Sequence, residues 1–271
     1  DDGHGQVSDL VLVDKATRDP RSLDFLMHLA QWIRQTYPST QYRYVSLGRS
    51  GAGVQLALEV LGESVTELPM SGLGGPMGRR LPPLKPDLYQ ETLRPHLQKF
   101  LPLETDPREL LVFDYADTGV SLVNSVELFA WAEKQGLIKK LPRFLAWVSE
   151  DVTFEDLDLK KAYQVRLQKW LPHVDLVQIP FHAIPLFYYS AFKSVSIYRS
   201  WNFRNEAYEN APQQVPQGPS PLETEPLWTP TPQGIWQVLT QANGENPREV
   251  VRRLLAARSA SAASCRRLLS E

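Results

Sequence analysis

With 271 residues, 42% of them hydrophobic and 22% charged, the chain is long enough to bury one large core or one core plus an appendage. A net charge of −2 excludes the global basic field that non-specific nucleic-acid binding requires, and one cysteine, Cys265, excludes an intramolecular disulfide framework and a multi-cysteine metal site. No apolar run is as long as a membrane span and no signal peptide is visible. We therefore expect a cytoplasmic protein that binds neither nucleic acid nor membrane, although the abrupt start at Asp1-Asp2 is also compatible with a removed leader and secretion.

Hydrophobic periodicity predicts strands that alternate with helices along most of the chain. After a short apolar run at Leu10–Val13, strands are predicted at Tyr42–Leu47, Val65–Met70, Leu110–Phe113, Phe144–Val148 and Val174–Ile179. Helices are predicted at 21–37, 54–61, 88–100, 122–135 and 155–170. This order predicts an α/β fold, a parallel sheet flanked by helices with right-handed crossovers. Ligands of such sheets bind at the carboxyl ends of the strands.

A glycine-rich loop, Gly48-Arg49-Ser50-Gly51-Ala52-Gly53, follows the strand Tyr42–Leu47. Its glycines let backbone amides approach an oxyanion, and Arg49 can pair with a diphosphate through two hydrogen bonds. It is not a Walker A loop, because no Gly-Lys-Ser/Thr follows, and Leu56 stands where a dinucleotide fingerprint needs its third glycine. The simplest alternative is a glycine turn in which Ser50 caps the next helix.

A rival interpretation of this loop is the nucleophile elbow of an α/β-hydrolase, with Ser50 as the nucleophile. The loop has the required small-x-Ser-x-small form between a strand and a helix, although few residues precede it to supply the usual earlier strands. A triad also needs an acid and then a base further along the chain. The candidates are Asp114, Asp117, Asp151, His173 and His182, of which His182 is better explained as structural.

Residues 71–87 are rich in glycine and proline and are not expected to form regular structure. Connections of this length are often lids or binding loops. Arg79 and Arg80 would bring positive charge to a diphosphate if this segment closes over a site. A solvated surface loop is the other interpretation.

The most informative stretch is Leu110–Leu122, LLVFDYADTGVSL. Its apolar start predicts a buried parallel strand, and its end, Thr118-Gly119-Val120-Ser121, predicts a helix N-terminus. Such a terminus offers unpaired N–H groups and a positive dipole end. Hydroxyls and a glycine placed there favour an anion site, most naturally for phosphate, whereas a generic strand end with an acidic turn is the alternative.

The stretch resembles the phosphoribosyl diphosphate (PRPP) motif of type I phosphoribosyltransferases, in which two acidic and two variable residues precede Asp-Thr-Gly-x-Thr/Ser. The resemblance implies that residues 117–121 hold the 5′-phosphate of a ribose. It also implies that Asp114 faces the ribose hydroxyls and a Mg²⁺, and that Asp117 lies near the leaving or attacking base. Phe113 occupies the family's first acidic position, so one ribose or metal contact is missing. Gly48-Arg49-Ser50-Gly51 is similar to the family's diphosphate loop, and residues 71–87 correspond to its flexible closing loop.

The C-terminal half carries an aromatic segment, 181–203, and a proline-rich segment, 211–233. We expect the aromatic residues to fill the core or a homodimer interface and the proline-rich segment to form an extended strap. A helix is predicted at 247–257. We therefore predict a phosphoribosyltransferase-like domain over residues 10–205, followed by a strap and a C-terminal helix over residues 206–271.

The resemblance implies a Mg²⁺-dependent transferase of nucleotide metabolism that reacts PRPP, or a related ribose 5-phosphate, with a nucleobase or other acceptor at the anomeric carbon. Asp114 and Asp117 would balance the positive charge that develops there, while Arg49, the Ser50 amide and Mg²⁺ would hold the departing diphosphate. A second hypothesis is a non-catalytic relative that senses a nucleotide or binds a protein, which Phe113 favours. The Ser50 hydrolase is the third hypothesis.

Overall fold

The structure is a computed structural model that describes residues 20–48, 51–68, 70–71, 90–101, 106–116, 119–149, 168–184, 187, 200–202, 207–209 and 251–259. Its helices are α1 (Pro20–Thr36), α2 (Ala52–Val60), α3 (Gln90–Phe100) and α4 (Val120–Lys134). Residues 251–259 are also helical and are called the C-terminal helix, and Leu171–His173 form a 3₁₀ turn. The strands are β1 (Tyr42–Leu47), β2 (Val65–Leu68), β3 (Met70–Ser71), β4 (Glu109–Tyr115), β5 (Arg143–Ser149), β6 (Val174–Ile179), β7 (Ser200–Asn202) and β8 (Ala207–Glu209).

The main sheet has five strands in the order β2-β1-β4-β5-β6, and every neighbouring pair is parallel. The α/β character predicted from the sequence is therefore confirmed. A second sheet has the order β3-β7-β8. The strand predicted at Val65–Met70 is thus divided between the two sheets, since Val65–Leu68 pair with β1 and Met70 pairs with Trp201 of β7.

Helices cover both faces of the main sheet, because its strands present apolar side chains alternately to each side. Along β4, Val112 belongs to the core cluster that contains α4 residues such as Val123, whereas Leu111 and Phe113 belong to the cluster that contains α1 and α2. The fold is therefore three-layered, with the sheet between the two sets of helices. In the helix predicted at 21–37, four apolar residues recur at the i, i+3, i+4, i+7 spacing of one helix face, and all are buried in the structure: Leu26, Leu29, Ala30 and Ile33.

The C-terminal helix packs in the same layer as α1 and α2. Its buried residues Val251 and Leu255 share the core cluster of those helices. Arg252 pairs with Glu59 of α2 at 3.2 Å, and Arg258 pairs with Asp24 of α1 at 2.5 Å. The C-terminal helix, α1 and α2 thus cover the same face of the sheet, although they are far apart in sequence.

Several sequence-based predictions fall wholly or mostly outside the described residues. These are the strand at Leu10–Val13, the loop at 71–87, the helix at 155–170, most of the aromatic segment and the proline-rich segment. Of the aromatic residues, Phe187 lies in the core as predicted, whereas Phe181 is 58% exposed. No helix in the described part of the chain is long and apolar enough to cross a bilayer.

Candidate functional site

The two candidate motifs follow neighbouring strands of the sheet. β1 and β4 pair in parallel with Ser46 opposite Phe113, so the loops after both strands begin side by side at the same edge. From β1 the chain enters α2 on one face, and from β4 it enters α4 on the opposite face. In chain order the five strands are arranged 2-1-3-4-5, and β1 and β4 flank the point where the order reverses. A crevice at this topological switch point is where open α/β sheets bind their ligands.

Gly48 fixes the start of the loop that follows β1. Its φ is +62°, a left-handed conformation that favours glycine. A Cβ atom at this position would lie 2.8 Å from the backbone oxygen of Met70, and its N–H donates to the Leu68 oxygen at 2.9 Å. The loop after β1 is thereby anchored to the end of β2, close to where residues 71–87 begin.

Gly51 caps α2 over a tightly packed part of the core. A Cβ atom on Gly51 would lie 2.3 Å from the Ser46 Oγ and 3.0 Å from the nearest ring carbon of Phe113. Within the described residues no side chain caps this helix, and its first turn contains no acidic residue. A helix N-terminus of this kind is a favourable place for an anion.

The N-terminus of α4 has the same character on the opposite face of the sheet. Gly119 is its N-cap with φ of +76°, and no side chain of the described residues caps the helix. Ser121 is half-buried in the first turn, and its backbone oxygen accepts a hydrogen bond from the Ser125 hydroxyl at 2.7 Å. The structure therefore places Gly119, Val120 and Ser121 at a helix N-terminus, where the sequence predicted a phosphate site.

Asp114 is the acidic residue of the motif that the structure describes. It lies between Val112 and Ala116, which both belong to the α4 side of the core, so its side chain is on that side of β4. Its Oδ1 accepts a hydrogen bond from the Tyr115 N–H at 2.8 Å, and the side chain is half-buried. The carboxylate is thus held at the strand end beside the switch point.

Phe113, at the position of the missing acid, is a core residue. It is fully buried, and its ring centroid lies 5.9 Å from that of Trp147. Because it points to the α1–α2 side, it faces away from Asp114 across the sheet. An ionised carboxylate in this apolar position would be strongly disfavoured, so the departure from the phosphoribosyltransferase pattern is built into the packing.

A magnesium site would have to rely on few protein ligands. Among the described residues no cluster of three or more His, Cys, Asp or Glu side chains can hold a metal. Mg²⁺ is commonly bound through one or two carboxylates together with substrate phosphates and water. Asp114 therefore fits such an ion if the ligand supplies phosphate oxygens.

The sheet topology argues against His173 as the base of a hydrolase triad with Ser50. His173 precedes β6, whereas Ser50 follows β1, and the two strands are parallel. His173 therefore lies at the edge opposite to the one where the loop after β1 begins at Gly48 and ends at Gly51. His182 follows β6 at the same edge as Gly48 and Gly51, and its backbone oxygen accepts a hydrogen bond from the Ser22 hydroxyl at 2.8 Å.

Seven of the candidate site residues named from the sequence lie outside the described residues, namely Arg49, Ser50, Arg79, Arg80, Asp117, Thr118 and Asp151. Their neighbours Gly48, Gly51, Ala116 and Gly119 are described, so the structure fixes where the two short loops begin and end. It therefore brings both loops to one edge of the sheet. The positions of Arg79 and Arg80 relative to this edge stay a prediction.

The opposite, amino edge of the sheet carries a polar cluster with a different character. Arg143 at the start of β5 forms two hydrogen bonds with Asp175 of β6, at 2.7 and 3.0 Å, and the Tyr37 hydroxyl donates to Asp175 at 2.7 Å. Burial and the bond to Asp175 raise the pKa of Tyr37 to about 12. Burial opposes ionisation of Asp175, but the bonds from Arg143 and Tyr37 outweigh it and lower the pKa of that carboxyl. Every member of the cluster is paired, so we interpret it as structural.

Ser46 was not among the residues singled out from the sequence. It is fully buried, and within the described part of the chain its hydroxyl has no hydrogen-bond partner. The only sequence signal is a small polar residue inside an otherwise apolar strand end, Tyr44–Leu47.

Comparison of the chain with protein-family models, with curated proteins and with solved structures gives no match.

Proposed function

We propose that the chain binds PRPP, or a related ribose 5-phosphate, across the crevice between β1 and β4, as a Mg²⁺-dependent phosphoribosyltransferase-like enzyme. The observation that carries this proposal is the pairing of β1 with β4 at the switch point. It puts two glycine-capped helix N-termini, those of α2 and α4, on opposite faces of the sheet at the ends of neighbouring strands. A ligand with a phosphate at one end and a diphosphate at the other suits this arrangement.

In this proposal the two ends of the ligand are read by different loops. Thr118, Gly119, Val120 and Ser121 hold the 5′-phosphate through hydroxyls and backbone N–H groups at the start of α4. Gly48, Arg49, Ser50 and Gly51 hold the diphosphate at the start of α2. Arg79 and Arg80 are the candidate lid residues that would add charge to the same group.

The chemistry proposed for the site is substitution at the anomeric carbon of the ribose. Positive charge develops on the sugar as the diphosphate departs, and the carboxylates of Asp114 and Asp117 stabilise it. Asp117 lies next to the phosphate loop in sequence and is the candidate for proton transfer to or from the base. Bound through Asp114 and the ligand, Mg²⁺ would neutralise charge on the departing diphosphate.

A second candidate is a non-catalytic protein of the same architecture that senses a nucleotide or binds a protein partner. The observation that favours it is the burial of Phe113, because the strand end then supplies one carboxylate in the described residues where the motif usually has two acids. A panel of nucleobases with PRPP and Mg²⁺, assayed for diphosphate release, separates the candidates. Binding of PRPP without release on any base favours the sensor.

The hydrolase alternative is tested independently by its nucleophile. A fluorophosphonate probe should label Ser50 if that residue is the activated serine of a triad. Failure to label the folded protein, with a Ser50→Ala variant as the background control, removes this alternative. The loop is then left with its role in anion binding.

The proposed ligand site is tested by a Thr118→Ala/Ser121→Ala double variant. Each lost hydroxyl donor to a charged oxygen should weaken binding by about 1.5–3 kcal/mol, because both are proposed to contact the 5′-phosphate. The affinity for PRPP and for ribose 5-phosphate is measured by calorimetry with Mg²⁺. The melting temperature should change much less than the affinity.

Ser125→Ala is the matched control for that experiment. Ser125 lies one turn further along α4, and its hydroxyl bonds to the Ser121 oxygen inside the helix. We expect it to change stability slightly and ligand affinity little. Unchanged affinity in the double variant, or an equal loss in the control, would contradict the placement of the phosphate at α4.

A further inference from the structure

The feature that carries a further inference is the buried hydroxyl of Ser46. Three side-chain atoms in the described part of the chain are buried without a hydrogen-bond partner: Ser46 Oγ, Gln55 Oε1 and Trp147 Nε1. Buried polar groups in folded proteins are nearly always paired, so each such group needs an explanation. The Ser46 hydroxyl is the one that lies directly against a candidate binding loop.

Its position relative to α2 is closely defined. A Cβ atom built on Gly51, the N-cap of α2, would lie 2.3 Å from Ser46 Oγ. The hydroxyl therefore lies between strand β1 and the first turn of the helix. It fits there because Gly51 has a hydrogen atom where other residues have a Cβ atom. Around it the core is apolar, with Phe113 opposite Ser46 in the strand register.

The other two unpaired atoms do not fit an anion as well. Gln55 Oε1 is an acceptor, which would repel an oxyanion rather than bind it. Trp147 Nε1 is a donor, but it belongs to β5, which is separated from β1 by β4. Ser46 combines a donor, complete burial and contact with a helix N-terminus that no side chain of the described residues caps.

We propose that Ser46 is a further binding residue of this site and donates its hydroxyl to an oxygen of the diphosphate held at the N-terminus of α2. The inference rests on the proposed function for the identity of the ligand and deepens it by adding a residue from strand β1. Within the described residues the hydroxyl has no partner, and a diphosphate oxygen bound beside the turn at Gly51 would provide one. The diphosphate end is thus distinguished from the 5′-phosphate end, which Ser121 serves.

The test is a Ser46→Ala variant titrated by calorimetry, in Mg²⁺, with three probes: PRPP, inorganic diphosphate and ribose 5-phosphate. We expect the affinity for PRPP and for diphosphate to fall about tenfold or more, the loss typical of a hydrogen bond to a charged group. The affinity for ribose 5-phosphate should stay within about twofold. The melting temperature of the unliganded variant should be equal to or above that of the wild type, because an unpaired buried hydroxyl has been removed.

Trp147→Phe is the matched control, since it removes the other unpaired buried donor on the same face of the sheet. It should leave the affinity for all three probes unchanged, whatever its effect on stability. Ser46→Cys, which is nearly isosteric and a poor donor, replaces Ser46→Ala if the latter does not fold, and the same selective loss is expected.

Each other outcome overturns the inference in a distinguishable way. Unchanged diphosphate affinity in the Ser46 variants overturns it and leaves the proposed function in place. An equal loss for diphosphate and ribose 5-phosphate means that Ser46 acts through the fold, which also overturns it. If the wild type binds ribose 5-phosphate but no diphosphate, the inference alone fails, and if it binds no probe, the proposed function fails as well.

Discussion

Gly48 ends β1 in a left-handed conformation, with the backbone oxygen of Met70 where a side chain would begin. Its hydrogen bond to Leu68 ties the loop after β1 to the neighbouring strand. Glycine is required at this position for two reasons: the backbone has a positive φ, and there is no space for a Cβ atom. The same two requirements can be separated by comparison with Gly62, which has φ of +86° but no atom within 4 Å of the position that a Cβ would take.

We expect Gly48→Ala to be considerably more destabilising than Gly62→Ala. Both place a Cβ at positive φ, which costs about 1–2 kcal/mol. Only at position 48 does the new atom meet backbone, and overpacking of this kind adds about 1–3 kcal/mol. Urea denaturation of the two variants measures the difference, and equal losses would show that the close approach to Met70 is unimportant.

Residue-level prediction from the sequence succeeded where a single residue type has a local meaning. Gly119 and Ser121 were predicted at a helix start, and both are found there. Phe113 was recognised as a departure from a motif, but its burial against Trp147 depends on a neighbouring strand. Ser46 was missed, because whether a hydroxyl is paired depends on tertiary contacts that periodicity does not contain.

Elements with a clear pattern and strong flanking signals were predicted well. The predicted bounds of β1 and β6 are those of the structure, since both are short runs rich in β-branched or aromatic residues and are flanked by turn residues. α2 begins at Ala52 rather than Val54 and α4 at Val120 rather than Leu122, because the glycine that precedes each helix is its cap. The pairing of strands could not be predicted, since the pattern of one strand does not identify its neighbour.

The division of the strand predicted at Val65–Met70 has a physical reason in the sequence. Pro69 stands between Leu68 and Met70, and proline has no N–H to donate to a ladder. Leu68 therefore ends the pairing with β1, and Met70 pairs with β7 in the second sheet. A stricter use of the proline rule would have divided the prediction at the same place.

The C-terminal helix allows a matched test of its contribution to stability. Leu255 is fully buried and Leu254 is 37% exposed, although they are adjacent. We expect Leu255→Ala to lower the free energy of unfolding by about 2–5 kcal/mol. Leu254→Ala should change it by no more than about 0.5 kcal/mol. Denaturant unfolding measures both, and equal effects would mean that this helix does not pack on α1 and α2.

The carboxyl and amino edges of the main sheet carry different kinds of polar groups. The carboxyl edge carries glycine-capped helix termini with no acidic residue in the first turn of α2 or α4. The amino edge carries paired charges, including the cluster of Tyr37, Arg143 and Asp175. Stability at the amino edge therefore depends on protonation, and it can be probed without touching the candidate site.

Alkaline pH should destabilise the protein through two buried tyrosines. Burial is the main cause that raises the pKa of Tyr37 and of Tyr44 to about 12 in the folded state, from the ordinary value of 10.0. Since the folded state holds these protons more tightly than the unfolded state, their contribution is complete below pH 10 and is lost as the pH rises towards 12. Unfolding free energies measured across this range should fall steadily.

A Tyr37→Phe variant tests whether Tyr37 causes part of the loss of stability at alkaline pH. Phenylalanine cannot ionise, so the variant should lose less stability between pH 10 and 12 than the wild type, although it starts lower because the bond to Asp175 is gone. Leu254→Ala should follow the wild-type pH dependence. A Tyr37→Phe variant with the full wild-type slope would assign the effect to other groups.

The docking of the C-terminal helix has a consequence for how the chain reaches its native state. Its ion pairs join residues separated by 193 positions (Arg252 to Glu59) and 234 positions (Arg258 to Asp24). Contacts of such long range are closed at a large entropic cost and slow the folding reaction. During synthesis, the α1–α2 surface that Val251 and Leu255 cover stays open until residues 251–259 leave the ribosome. Aggregation of nascent chains competes with folding in that interval, and a chaperone that shields this apolar surface would suppress it.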